Sequence, residues 1–131
     1  MANGTIAFDT LQTSGQITGT AKSVDTDFIV SGSAKVYIDL TGTSTINLNK
    51  SLNVSGTTDN GTGDYTYTYS NSFDSANYSV VCDVAFTSGG GQNTRVTSAV
   101  SGNARILTTN TSNANAVDSL KLYGVNHGDL A

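Results

Sequence analysis

The sequence predicts an all-β protein built as an antiparallel β-sandwich, jelly-roll-like or related. Thr, Ser, Asn and Gly make up nearly half of the 131 residues, and Pro, Trp and Glu do not occur. Segments rich in strand formers such as Thr, Val, Ile, Tyr and Phe are separated by turn formers such as Asn, Asp, Gly and Ser. No ten-residue stretch carries a helical period, which leaves short strands joined by frequent turns.

The first part of this pattern predicts two hairpins. Apolar residues occupy every second position over 34–40, which places them on one face of a half-buried strand. A turn at 41–43 and a second alternating run over 46–49 complete the first hairpin. Another strand starts at Leu52, and the Asn-Gly pair within 59–64 supplies the positive φ angles that tight hairpin turns need.

The rest of the chain adds further strands and two polar loops. Tyr65, Tyr67 and Tyr69 alternate with Thr, and we expect this stripe to face the core or a subunit interface. A stripe of exposed aromatic rings that stack on sugars is the alternative. Later strands are predicted over 80–86, 96–100, 105–108 and 120–125. In total the pattern predicts eight or nine strands.

Charge and cysteine content argue against several functional classes. The net charge is −4, and the six basic residues are scattered. We therefore expect no nucleic-acid partner and no membrane anchor, since both need clustered Lys and Arg. No run approaches eighteen apolar residues, and the first ten residues lack a signal-peptide pattern. We expect a protein made in the cytoplasm, and the single cysteine, Cys82, excludes an internal disulfide framework.

The stretch 51–80 carries a distinctive pattern. It opens on Leu-Asn-Val-Ser, continues through Thr-Asp-Asn-Gly-Thr-Gly-Asp-Tyr at 58–65 and an alternating strand, and ends on Ala-Asn-Tyr-Ser-Val at 76–80. This pattern resembles a segment that recurs in tail-fibre and related virion proteins of bacteriophages. The likeness extends over roughly residues 25–125.

The resemblance implies a structural protein of the virion, made in the host cytoplasm, that assembles as a homotrimer. Residues 1–24 are then an N-terminal arm or attachment segment that contacts other virion proteins, and residues 25–131 are the β-sandwich module. Two positions on the particle stay open. The chain is either a short tail-fibre or fibre-tip module that contacts the host surface, or a capsid decoration or head-fibre protein.

The reactive side chains do not form a catalytic or metal-binding pattern, so we expect no enzymatic activity and no cofactor. His127, with Asp129 nearby, is expected in a solvated polar tail rather than in a metal site or catalytic dyad. Asp59, Asn60 and Asp64 carry oxygen atoms of the kind that bind calcium, but their spacing matches a plain hairpin turn better than a calcium loop.

Two further candidates for catalysis have simpler explanations. Asp25 and Asp27 would share one face of a strand, and paired carboxylates serve glycoside hydrolysis, yet enzymes that degrade polysaccharides are usually far larger. Cys82 alternates with Val80 and Val84, which predicts a core thiol. A nucleophilic thiolate needs a nearby base, and the single histidine lies far along the chain.

The polar loops are the best candidates for a binding surface. Residues 88–94 and 109–116 are rich in Gly, Ser, Thr and Asn, which offer many hydrogen-bonding groups to a polar glycan. Loops held by a rigid sandwich often carry binding residues. The alternative is that both segments are solvent-facing turns without a ligand. The predicted contact residues are Gly90, Gln92, Asn93, Asn110, Asn113 and Asn115.

Overall fold

The computed structural model describes residues 30, 32–85 and 91–131, and confirms the all-β class. The described residues form eight strands: β1 (Val36–Thr41), β2 (Asn47–Leu52), β3 (Val54–Gly61), β4 (Asp64–Tyr69), β5 (Ser79–Ala85), β6 (Gln92–Val100), β7 (Asn103–Asn110) and β8 (Lys121–His127). Among these residues no helix is long and apolar enough to cross a bilayer. The predicted arm at 1–24 and the Asp25/Asp27 pair lie outside the described residues.

The strands form two four-stranded antiparallel sheets that pack as a sandwich. Sheet A has the order β2-β1-β8-β5, and sheet B has the order β3-β4-β7-β6. Three hairpins, β1–β2, β3–β4 and β6–β7, lie within a sheet, whereas every other consecutive pair of strands crosses from one sheet to the other. The two predicted hairpins, β1–β2 and β3–β4, are confirmed.

The register places the connections at two opposite ends of the sandwich. At the termini end lie the start of β1, the 70–78 connection, the turn at 101–102 and the C-terminus. At the loop end lie the β1–β2 turn, the β3–β4 turn and the 111–120 connection. Strand β5 ends and β6 begins at this loop end as well.

The core lies between the inner faces of the two sheets, where alternation along each strand directs one set of side chains inward. Val36, Ile38 and Leu40 of β1 are buried, as are all three tyrosines of β4. The prediction that the tyrosine stripe faces the core is confirmed within a single chain. The alternative of an exposed sugar-stacking stripe is wrong, because Tyr65, Tyr67 and Tyr69 are at most 5% exposed.

Burial of tyrosine rings requires partners for their hydroxyl groups, and one buried asparagine supplies them. Asn126 Oδ1 accepts a hydrogen bond from Tyr67 at 3.1 Å, and Asn126 Nδ2 donates to the Tyr69 hydroxyl at 2.7 Å. The Tyr69 and Tyr78 hydroxyls lie 2.8 Å apart, and Tyr78 donates to the carbonyl of Asn103 at 3.0 Å. We call Tyr67, Tyr69, Tyr78 and Asn126 the tyrosine–asparagine network, which joins both sheets.

Aromatic packing closes the termini end of the core. The Phe73 and Tyr78 rings stack with centroids 4.1 Å apart and planes 5° apart. The Tyr69 ring meets both of them edge-on, at 5.2 Å and 5.9 Å. Phe73 also pairs with Leu130 of the C-terminal segment. The 70–78 connection is therefore part of the hydrophobic core.

Several predicted strand bounds were wrong. Leu52, predicted to start a strand, is the last residue of β2 because it pairs with Tyr37, and β3 begins at Val54. Strand β7 extends to Asn110, inside the predicted 109–116 loop.

His127 is the last residue of β8 and pairs with Ser79, so it lies in a strand and not in a polar tail. Strand β8 lies between β1 and β5, and the pairing of His127 with Ser79 of β5 extends it to residue 127 because the backbone groups there find ladder partners. Strand β6 begins at Gln92, inside the predicted 88–94 loop, because Gln92 pairs with Asn110 of β7.

A solvent-facing ion pair on sheet B gives a pH-dependent prediction. Arg105 donates to both carboxylate oxygens of Asp64, at 2.7 Å and 2.5 Å, and these bonds lower the pKa of Asp64. A lowered folded-state pKa stabilises the fold above about pH 4, and this contribution disappears as the pH falls through the folded-state pKa. We expect Asp64→Asn to lower the free energy of unfolding by about 0.5–1 kcal/mol at pH 7, since the pair is partly exposed.

The measurement is urea unfolding of wild type and Asp64→Asn between pH 7 and pH 2. Their difference in free energy of unfolding should shrink towards zero below pH 4. Asp39, whose pKa is lowered chiefly by a hydrogen bond from Lys121, is unchanged in both proteins and so cancels in the comparison. A difference that stays constant over this range would contradict the assignment.

Candidate functional site

The β3–β4 turn sets the geometry of the loop end. Gly61 and Gly63 have φ angles of 129° and 68°, which glycine adopts readily. Asp59 Oδ1 accepts a hydrogen bond from the Gly61 N–H at 2.9 Å. The Asn60 side-chain amide donates to Thr66 Oγ1 at 2.9 Å. The predicted hairpin turn is confirmed, and no group of three or more His, Cys, Asp or Glu that could hold a metal occurs among the described residues.

This turn anchors the 111–120 connection at its base. The Gly63 N–H donates to Asp118 Oδ1 at 2.7 Å, and the Gly63 carbonyl accepts from the Thr108 N–H at 2.7 Å. The Val117 N–H donates in turn to the Thr108 carbonyl at 3.1 Å. The Tyr65 hydroxyl donates to Asp118 Oδ1 at 3.0 Å from the core side. The base of the loop is therefore held by hydrogen bonds from both β4 and β7, and the groups that make these bonds are buried or half-buried.

Side-chain hydrogen bonds of asparagine shape the tip of the same connection. Asn110 Oδ1 accepts from the backbone N–H of Ser112 at 2.8 Å and from its hydroxyl at 2.6 Å. Asn113 Oδ1 accepts from the Asn115 N–H at 3.0 Å. Asparagine and aspartate make such local turns because their short side chains reach the backbone two residues on. Ala114 between them has a φ of 58°, a left-handed conformation that this tight tip imposes.

The two predicted binding segments meet at the loop end. The Gly91 carbonyl accepts from both the backbone N–H and the hydroxyl of Thr111, at 2.8 Å and 3.0 Å. The Ser119 hydroxyl donates to the Gln92 side-chain oxygen at 2.7 Å. These bonds fix the start of β6 to the 111–120 connection, so the two segments form one surface.

A polar concavity of about 530 Å³ lies beside this junction. Its lining combines amide, hydroxyl and charged groups with two apolar side chains; the residues are Asp83, Gln92, Asn93, Thr94, Arg95, Leu107, Thr109 and Ala114. Arg95 is exposed and forms no ion pair with any residue that the structure describes. We call this feature the loop-end concavity.

Most of the predicted contact residues lie in or beside this concavity. Gln92 and Asn93 line it, and exposed Asn113 and Asn115 flank Ala114 at its rim. Asn110 is half-buried, and its side-chain oxygen is occupied by Ser112, so it shapes the loop. The sixth predicted residue, Gly90, lies outside the described residues.

The charged and apolar parts of the lining were not predicted from the sequence. Arg95 and Leu107 are directly paired across β6 and β7, and Asp83 comes from β5 of the other sheet. The alternation of side chains along β6 could have revealed Arg95. Thr94 faces inward, so Asn93 and Arg95 on either side of it face outward together. No local pattern could bring Asp83 to the same place, since that depends on how the sheets pack.

The two reactive side chains singled out in the sequence do not contribute to this concavity. Cys82 faces the core from β5, and burial raises the pKa of its thiol to about 12, so the thiol stays protonated at neutral pH. His127 pairs with Ser79 at the termini end, opposite the concavity. The packing of Cys82 against the core confirms the prediction of a core thiol.

Comparison with protein-family models, with curated proteins and with solved structures finds no match to this chain. The geometry of the loop end therefore carries the functional argument, together with the sequence pattern at 51–80.

Proposed function

We propose that this protein is a bacteriophage virion structural protein, a short tail-fibre or fibre-tip module that contacts a glycan of the host surface and performs no catalysis. The observation that carries the proposal is the loop-end concavity, where two Asn- and Thr-rich segments meet beside exposed Arg95. The resemblance of residues 51–80 to phage fibre segments supplies the biological setting.

The chemistry of the concavity suits a polar sugar. Amides such as Asn93 both donate and accept hydrogen bonds, which matches the hydroxyl groups of a sugar ring. Leu107 offers an apolar contact for the C–H face of the ring. Arg95 adds a charged donor of the type that binds the carboxylate or phosphate groups of acidic bacterial polysaccharides.

The position of the concavity, at the end of the sandwich opposite the N-terminal segment, also supports a role at a fibre tip. The chain preceding β1 joins the sandwich at the termini end, and the concavity lies at the loop end. An attachment through the N-terminal segment would therefore direct the concavity away from the particle. Binding surfaces on loops at one end of a rigid sandwich are a common arrangement.

The test is binding of the full-length protein to an array of bacterial lipopolysaccharides, capsular polysaccharides and teichoic acids. We expect Arg95→Gln and Asn93→Ala each to weaken binding to the recognised glycan by about tenfold, the typical effect of losing one or two hydrogen bonds to a polar ligand. Asn77→Ala is the matched control, because Asn77 is exposed at the termini end. Equal effects of Asn77→Ala and Asn93→Ala would place recognition elsewhere.

The number of copies on the particle distinguishes this proposal from the alternative, a capsid decoration or head-fibre protein. A few copies at the tail support host recognition, whereas tens to hundreds of copies over the head indicate decoration. Polysaccharide incubated with the protein should keep its chain length, and shortening of the chains would contradict the absence of catalysis.

A further inference from the structure

The outer face of sheet A carries an apolar surface that the single chain leaves uncovered. Four directly paired residues, one from each strand, form a continuous row across the sheet: Leu52, Tyr37, Val125 and Val81. Leu52, Tyr37 and Val81 are between 39% and 64% exposed. Single exposed apolar residues are ordinary, but a contiguous patch on the outer face of a sandwich marks an interaction surface.

The neighbouring row on the same face is charged. Its members, again one from each strand, are Lys50, Asp39, Tyr123 and Asp83. Its two ends have opposite charge, because Lys50 lies on β2 at one edge of the sheet and Asp83 lies on β5 at the other edge. We call these sets the apolar row and the charged row.

We propose that a second copy of this chain packs on the outer face of sheet A, with the two copies related by a twofold axis that runs parallel to the strands between β1 and β8. Such an axis lays the two sheets face to face and reverses the order of the strands. Strand β2 of one copy then faces β5 of the partner, and β1 faces β8 of the partner.

This arrangement makes both rows self-complementary. In the apolar row, Leu52 faces the partner's Val81, and Tyr37 faces the partner's Val125. A shallow apolar depression of about 160 Å³, bordered by Val81, Tyr123 and Val125, receives the Tyr37 ring of the facing copy. Aligned sheets pack about 10 Å apart, which is the separation that interdigitated side chains of this size fill.

The charged row gives the sharper argument for a second copy. Lys50 faces the partner's Asp83, and by symmetry Asp83 faces the partner's Lys50, so two opposite-charge contacts form at the edges. Asp39, whose carboxylate accepts from Lys121 within its own chain, faces the partner's Tyr123. Within one chain Lys50 lies beside Asp39 on the neighbouring strand, and Asp83 is three strands away, about 14 Å, so Lys50 and Asp83 are not intrachain partners.

The size of the face predicts a weak dimer. Four strands of six or seven residues cover roughly 20 Å by 20 Å, which is smaller than the roughly 800 Å² per partner of a standard stable interface. We therefore expect a weak dimer, with a dissociation constant on the order of micromolar. A threefold arrangement, which the fibre resemblance implies, brings two different surfaces together and does not use this self-complementarity.

The test is sedimentation equilibrium of the full-length protein and a charge-exchange series. The wild type should show a mass that rises with concentration from 13.5 kDa towards twice that value. Lys50→Asp and Asp83→Lys should each weaken dimerisation by about tenfold or more, because each places like charges together at both edges. The double variant K50D/D83K should recover to within about threefold of the wild type.

A second double variant controls for net charge. K50D/D83K and K50D/D74K both keep the wild-type net charge of −4, but only the first restores the facing pair. Asp74 is exposed in the 70–78 connection, away from sheet A's outer face. K50D/D74K should therefore remain as weak as K50D alone. Equal recovery of both doubles, a wild type that stays monomeric at high micromolar concentration, or a trimer would each overturn the proposal.

Discussion

Replacing Asn126 with alanine is expected to lower the free energy of unfolding by about 3–5 kcal/mol, because two buried tyrosine hydroxyls lose a partner and a cavity opens. Asn126 is fully buried, accepts a hydrogen bond from Tyr67 and donates one to Tyr69. The Tyr67 hydroxyl is left without a partner, which costs about 1–3 kcal/mol, whereas the Tyr69 hydroxyl loses one bond and keeps Tyr78. Urea unfolding followed by tyrosine fluorescence measures the loss, since the chain has no tryptophan.

A double-mutant cycle separates the network from simple loss of volume. Tyr67→Phe alone should cost about 1–3 kcal/mol, because it leaves the buried Asn126 Oδ1 without its donor. Combined with Asn126→Ala it should cost much less than the sum, because the hydroxyl that the first variant orphans has been removed. Additive free energies would show that Tyr67 and Asn126 are not coupled.

The sequence carried enough information to predict most strands, because each strand has one face in the core. Alternation over Val36 to Leu40 and over Tyr65 to Tyr69 has the period of two that only a half-buried strand produces. The Asn-Gly pair marked the β3–β4 turn for the same local reason. Such features depend on neighbours in the sequence and can be recognised without knowing the fold.

The tyrosine–asparagine network could not be predicted in this way. Asn126 occupies the inward position of β8 in alternation with Leu122, but asparagine by itself indicates a turn. It is buried because Tyr67 and Tyr69 of the other sheet present hydroxyls to it, 59 and 57 residues away in the sequence. A polar residue in a core is thus specified by its partners, and these are known only once the sheets are paired.

The candidate site was likewise predictable only where its features depend on neighbouring residues in the sequence. Composition identified the Asn-rich 109–116 segment and the start of β6, because loop residues reveal themselves locally. The meeting of the two segments depends on Gly91 and Thr111, which are joined by one backbone bond and one bond from the Thr111 hydroxyl. The contribution of Asp83 depends on the packing of one sheet against the other. Sequence therefore predicts which loops to consider and not which charges accompany them.

Gly63→Ala is expected to lower the free energy of unfolding by about 3 kcal/mol or more and to displace the base of the 111–120 connection. Gly63 has a φ of 68°, where a β-carbon costs roughly 1–2 kcal/mol. The same β-carbon would lie 2.6 Å from the Thr108 carbonyl oxygen and 2.7 Å from that of Val117. Both are backbone atoms, so relief requires movement of β7 or of the loop itself.

The consequence reaches the loop-end concavity, because Gly63 also holds Asp118 and Thr108 in place. Gly56→Ala is the control: nothing lies within 4 Å of its added β-carbon, and its stability should change by at most about 0.5 kcal/mol. Gly63→Asn separates the two causes, since asparagine tolerates a left-handed φ but carries the same β-carbon. If Asn restored wild-type stability, backbone conformation alone would explain the loss. If Asn fails as alanine does, the close packing of the turn against the 111–120 connection is what requires glycine.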